Sequence, residues 1–172
     1  MNSSKPRPKR VLVVDDDPSI VELLDLVLQD AGYEVITATS GREAIVLAVQ
    51  ERPDVVILDI VMPGLSGWET SDHLLSHEQT AGIPIIFLTA RVRHEDQLRG
   101  WYAGCFDYIT KPFEVDQLLG RVQQATNSTR EELDRLREDL RRQRVVVLES
   151  ADEEEGSLTL DVSDLPGRSS SA

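Results

Sequence analysis

Reactive side chains stand directly after four short apolar runs in this chain. Asp15, Asp16 and Asp17 follow Val11–Val14, Asp59 follows Val55–Leu58, Thr89 follows Ile85–Leu88, and Lys111 follows Tyr108–Thr110. An acidic cluster, a lone carboxylate, a hydroxyl and an amine together suit phosphoryl transfer. A carboxylate that attacks an anionic phosphorus needs cations to offset the charge spread over the equatorial oxygens. Mg²⁺ fits, because it takes hard oxygen ligands and is usually held by one or two carboxylates plus phosphate and water. Crowded carboxylates resist ionising together, and a divalent ion removes that repulsion. Singly, each residue has a plainer reading. An Asp run caps a helix or solvates a turn, a Lys beside Pro lies on the surface, and a Thr ending a strand does no chemistry.

The elements that must position these groups are punctuated in the sequence. A fifth apolar run, Val35–Thr39, ends in nothing reactive. Asp17-Pro18 reads as an N-cap followed by Pro at the first helical position, with Ile20, Leu23, Leu24, Val27 and Leu28 at helical spacing until Gly32. Ser40 caps a second helix with Ala44, Ile45, Ala48 and Val49 on its buried side, ended by Pro53. Trp68 to about Ser76 is a weaker third helix, followed by a polar loop to Gly82. A fourth is expected over Glu95–Ala103, closed by Gly104, and a fifth after Pro112 with Val115, Leu118, Leu119 and Val122 inward. Near-continuous Val, Ile and Leu in the central runs suits strands covered on both faces. The expected fold class is therefore α/β: a flavodoxin-like doubly wound parallel sheet of five strands in order 2-1-3-4-5 with five helices, followed by a C-terminal helical extension and tail. Ligands of such sheets bind beyond the carboxyl ends of the strands, so the reactive groups converge at one edge.

Through VLVVDDDP, VVILDIVMPG, FLTA and YITKPF, in order and without a large insertion from about Arg10 to Ala125, the chain resembles the receiver domain of bacterial two-component response regulators. The resemblance implies that Asp59 accepts a phosphoryl group from a histidine kinase or phosphotransfer protein. It implies that Asp15, Asp16, Asp59 and the backbone carbonyl of Val61 hold Mg²⁺, with Mn²⁺ as the alternative, and that Asp17 is a spare carboxylate. Lys111 then supplies a point charge to the phosphoryl oxygens, and the Thr89 hydroxyl donates to one of them. The Lys111–Pro112 bond is cis in this family. The implied switch draws Thr89 inward and turns Tyr108 into the vacated space; the plainer role of Tyr108 is a half-buried strand aromatic. The implied readout face is the fourth helix, fifth strand and fifth helix, carrying Arg99, Tyr102, Phe106 and Tyr108. Phe106 stands where many receivers have a small or acidic residue, which reads either as a partner contact or as a buried loop plug. Val61 and Arg91, two residues after Asp59 and Thr89, flank the path of an attacking water in receivers. A Val side chain cannot orient that water and Arg91 can screen the phosphoryl oxygens, so slow self-dephosphorylation is expected.

Composition bounds the rest. The 172 residues, 40% hydrophobic, allow one domain of ordinary size plus a tail. No apolar run approaches the ~20 residues of a membrane span, and the basic start MNSSKPRPKR is not followed by a signal-type stretch, so a cytoplasmic protein with no membrane partner is expected. Single Cys105 excludes an internal disulfide framework and reads as a small packed residue beside Gly104. A net charge of −13 argues against a nucleic-acid partner, despite Lys5, Arg7, Lys9 and Arg10. The expected organisation is a basic disordered arm (1–9), a receiver domain (10–126), a helical extension (127–144) and an acidic, mostly disordered tail (145–172). No second buried-core pattern follows position 126, so no DNA-binding domain is expected.

The extension has three readings. A spacing of three and four runs through Leu119, Val122, Thr126, Thr129, Leu133, Leu136, Leu140 and Gln143, which suits a short parallel coiled coil and hence a homodimer. The same stretch also suits a monomeric solvated helix or one that folds back, and Asn127-Ser128 can cap a separate helix starting at Thr129, Arg130 or Glu131. Val145–Leu148 is β-prone, and it or Leu158, Leu160, Val162 and Leu165 could pair with a sheet edge; the default for Glu149–Ala172 is disorder.

The leading expectation is a phosphorylation-controlled signalling switch whose output is protein–protein interaction, not an enzyme beyond slow self-dephosphorylation. The second is a Mg²⁺-dependent phosphatase or phosphotransferase with an Asp nucleophile. Such enzymes usually carry a second acid two residues after the nucleophile and a cap region; here Asp59-Ile60-Val61 has neither. The third is a constitutive coiled-coil scaffold with a silent receiver, against which Asp15, Asp16, Asp59, Thr89 and Lys111 all speak.

Overall fold

The protein is described by a computed structural model in which residues 7–90, 105–139 and 142 are described. Strands β1 (Arg10–Val14), β2 (Glu34–Ala38), β3 (Val55–Asp59), β4 (Ile85–Thr89) and β5 (Asp107–Thr110) alternate with helices α1 (Pro18–Asp30), α2 (Gly41–Glu51), α3 (Gly67–Ser76) and α4 (Val115–Asn127). A further helix, α5, begins at residue 130; its described residues are 130–139 and 142. The strands are parallel and ordered β2-β1-β3-β4-β5, as the sequence pattern predicts. The helix expected over Glu95–Ala103 lies outside the described residues, as do Arg91, Arg99, Tyr102, Leu140 and the tail from position 143.

Alternation along the strands assigns each side chain to a face. Leu12, Val14, Val56, Leu58, Ile85 and Phe87 share one buried layer with Ala44 and Ala48 of α2 and Trp68 and Leu74 of α3. Val11, Val13, Val55, Ile57, Ile86 and Leu88 face the other way, onto Leu24 and Leu28 of α1 and Leu118 and Val122 of α4. Both faces are covered, which is why the central strands carry no polar alternation.

Helix starts follow local side-chain chemistry. The Asp17 carboxylate accepts from the Ser19 amide ahead of Pro18, and the Ser40 hydroxyl accepts from the Glu43 amide. Ser66 and Glu69 form a reciprocal capping box that begins α3 at Gly67, one residue before the expected start. The last residues of the basic arm are tied down: Arg7 and Lys9 lie 3.4 and 3.5 Å from the Asp54 carboxylate.

α4 ends at Asn127. The Thr129 amide then donates to Glu132 Oε2 at 2.8 Å and the Glu132 amide to Thr129 Oγ1 at 3.2 Å, so a second capping box starts a separate helix. The spacing that runs on from Leu119 is thus broken at Ser128 and Thr129. α5 folds back on the domain: Leu133 is 5% exposed, and Arg137 donates to the backbone carbonyls of Ala81 and Ile83.

Candidate functional site

All the reactive groups singled out in the described residues end up at the carboxyl edge of the sheet. Asp15 directly follows β1 and is 1% exposed; its Oδ1 accepts from the Asp17 amide at 2.9 Å and its Oδ2 from Lys111 Nζ at 2.6 Å. Asp16 is exposed beside it. Asp59 is the last residue of β3, 5% exposed, with Oδ1 3.5 Å from Lys111 Nζ. Carboxylate oxygens of Asp15, Asp16 and Asp59 lie within 4.8 Å of one another. Asp17 has a separate task, as the α1 cap. Thr89 ends β4, the neighbour of β3, and is buried; its carbonyl accepts from the Lys111 amide at 2.7 Å, which fixes where the lysine leaves β5. The Lys111–Pro112 peptide is cis.

The electrostatics follow from this crowding. Burial, and then repulsion from Asp15, push the Asp59 carboxyl up to about 6, while Lys111 pulls the other way. Burial lowers the Lys111 ammonium, but its hydrogen bond to Asp15 and the charge of Asp59 outweigh that and raise it above the ordinary lysine value. Three clustered carboxylates facing one ammonium are a hard-oxygen donor set still short of positive charge. They fit a divalent cation such as Mg²⁺. Cys105, buried in the α2–α3 layer, has its thiol pushed up to about 12 by burial, which disfavours the thiolate and suits a packing role.

The sequence reading had not marked two features that shape this edge. Gly67 donates its amide to the Ile60 carbonyl at 2.8 Å, and a Cβ there would lie 2.2 Å from the carbonyl oxygen of Asp59. Only glycine lets α3 start this close to β3. Tyr108, half-buried, packs against Phe87 with ring centroids 5.4 Å apart and the rings tilted by 35°, and Phe87 against Trp68 at 4.7 Å and 50°. The Ser-x-x-Glu of Ser66 and Glu69 was the available signal for the helix start, but the close approach left no local trace. Val61 projects its side chain outward, 75% exposed, whereas Met62 next to it is buried.

Residues 11–123 match the family model described as the response regulator receiver domain. The chain is 42% identical over 113 residues to the DNA-binding dual master transcriptional regulator RpaA of Synechocystis sp., covering 66% of this chain and 47% of that protein. It is 40% identical to Protein PilH of Pseudomonas aeruginosa, covering 66% of this chain and 93% of that protein. Among solved structures, the response regulator TrrA of Thermotoga maritima in complex with Mg²⁺ and BeF superposes with a TM-score of 0.61 at 41% identity, covering 68% of this chain and 98% of that one. The chain spans about half the length of several of the curated relatives it matches, RpaA among them. With residues 11–123 matching that family model on a parallel sheet of order β2-β1-β3-β4-β5, the chain belongs to the response regulator receiver domain family.

Proposed function

We propose that Asp59 is the phosphoacceptor of a cytoplasmic signalling switch that signals through protein contacts. The observation that carries this is the convergence of Asp15, Asp16 and Asp59 opposite Lys111 at the end of a parallel sheet. An Asp59 carboxylate oxygen attacks the phosphorus of a phosphohistidine on a histidine kinase or phosphotransfer protein; the P–N bond breaks, and an acyl phosphate forms on Asp59. Asp15, Asp16, Asp59 and the Val61 backbone carbonyl would hold Mg²⁺, which when bound supplies positive charge to the transferring group. Lys111 is released from full pairing with Asp15 to meet the phosphoryl oxygens. The Thr89 hydroxyl donates to one of them, and Tyr108 follows into the space behind it. Val61 offers no polar atom from its side chain to orient a water, so the acyl phosphate hydrolyses slowly.

The test is phosphoryl incorporation by intact mass with a small-molecule phosphodonor and Mg²⁺. Wild type takes up one phosphoryl group and Asp59→Asn takes up none. Stoichiometric uptake by Asp59→Asn would overturn the assignment, and a half-life of seconds for the purified phosphoprotein would overturn slow hydrolysis.

A further inference from the structure

The described part of α5 is a few turns, residues 130–139 with residue 142 also helical, and isolated helices of a few turns are marginal in water, so its order comes from what it packs on. One side is charged and exposed, with Glu131, Asp134, Arg135, Glu138 and Asp139. The other carries Leu133, buried, Leu136, half-buried, and Arg137, whose side chain is 14% exposed. Arg137 donates from Nη2 to the Ile83 carbonyl at 3.3 Å and from Nη1 to the Ala81 carbonyl. Both carbonyls lie on the chain entering β4. Leu133 and Leu136 face Phe106, which enters β5, and Gln124 and Ser128 at the end of α4, across a cleft of about 360 Å³. In a parallel sheet these places share the edge where strands begin, opposite the edge that carries Asp59.

We infer that α5 is an intramolecular clasp, latched by Arg137, which keeps the chain monomeric by occupying the side of the helix that would otherwise pair with a second copy. Leu133 and Leu136 are the two described apolar residues that α5 contributes to the spacing that suits a parallel coiled coil. Each can face only one surface, so docking on the receiver and pairing between copies exclude one another. The contact is built to be released. Its described contacts include one buried leucine, one half-buried leucine and the Arg137 hydrogen bonds to Ala81 and Ile83, beside a cleft of about 360 Å³. The non-helical Ser128 and Thr129 let α5 leave without unwinding α4.

The experiment compares the full chain with Arg137→Ala and with Leu133→Asn, reading amide hydrogen exchange across residues 130–139 and solution mass by light scattering over a range of concentrations. Wild type is expected to be a monomer with α5 amides protected. Arg137→Ala should exchange at least ~10-fold faster in α5 and shift to a dimer as concentration rises. Leu133→Asn should exchange as fast yet stay monomeric, because it removes the clasp and the seam together. Unprotected α5 amides in the wild type, or unchanged protection in Arg137→Ala, would overturn the clasp. An opened Arg137→Ala that stays monomeric, or a Leu133→Asn that dimerises equally, would overturn the competition with a second copy. Phosphoryl uptake on Asp59 should be the same in all three, which separates this result from the fate of the acceptor assignment.

Discussion

Asp59 sits where its own charge is disfavoured: it is buried, it faces Asp15, and one ammonium serves both carboxylates. A carboxyl raised to about 6 in the fold, against an ordinary 3.8, binds more protons folded than unfolded across that window. Stability therefore falls as pH rises from about 4 to 6, and the whole cost is present above that range. Asp59→Asn removes the charge and keeps the shape. In the presence of a chelator it should be more stable than wild type near pH 7.5 by ~1–3 kcal/mol, with the difference vanishing near pH 4. Urea unfolding at both pH values checks this, and an Asp59→Asn that is equally stable or weaker at pH 7.5 would contradict it. Lys111→Met acts in the opposite direction, since it leaves Asp15 and Asp59 buried without their cation. A loss of about 3 kcal/mol is expected, partly recovered in the double variant Asp59→Asn with Lys111→Met. Additive effects in that double-mutant cycle would show that the lysine and Asp59 are not coupled.

At the scale of elements, two glycines make opposite predictions. A Cβ at Gly67 meets the Asp59 carbonyl at 2.2 Å and the Ile60 Cα at 2.7 Å, both backbone, so Gly67→Ala must push α3 away from β3. Gly120, exposed in α4, has nothing within 4 Å of its would-be Cβ. Gly120→Ala should stabilise by about 0.5–1 kcal/mol through helix propensity and a less flexible unfolded chain, and Gly67→Ala should destabilise by about 2 kcal/mol or more. Denaturant midpoints at unchanged slope decide both. The contrast also marks what was legible in the sequence. Strands and the residues at their ends could be read because parallel pairing makes apolar runs, Pro18, Ser40 and Gly32 punctuate the helices, and the strand order was what the resemblance to the receiver family implied. The approach of Gly67 to β3 and the Trp68–Phe87–Tyr108 ring cluster could not be read, because each depends on how separate elements are placed in space while the local spacing is ordinary. α5 was legible as an amphipathic stripe, with docking on its own domain one of three readings that the spacing left open. Leu133 and Leu136 carry the same spacing whether they face a second copy or their own domain.

The whole molecule has two working poles, since every strand begins at one edge and ends at the other. Acidic side chains and Lys111 gather at the carboxyl edge, in a chain whose net charge of −13 already makes added negative charge unwelcome. A ligand that binds only the folded state stabilises it in proportion to the logarithm of its concentration over its dissociation constant. Millimolar Mg²⁺ should therefore raise the thermal midpoint near pH 7.5. Metal binding requires deprotonated carboxylates, so the rise should shrink near pH 5, where Asp59, with its carboxyl near 6, is mostly protonated. Asp15→Asn should remove most of the rise at either pH. Leu133→Asn, at the opposite pole, should lower the midpoint itself and leave the Mg²⁺-dependent increment intact, because the described part of α5 packs on the chain entering β4 and β5, at the edge opposite Asp59. Scanning calorimetry with and without a chelator separates the two. An increment that is the same at pH 5 and 7.5, or that survives Asp15→Asn, would place the cation somewhere other than the acidic edge. An increment lost with Leu133→Asn would mean that the poles are energetically joined through β4, whose start lies under the clasp and whose end carries Thr89.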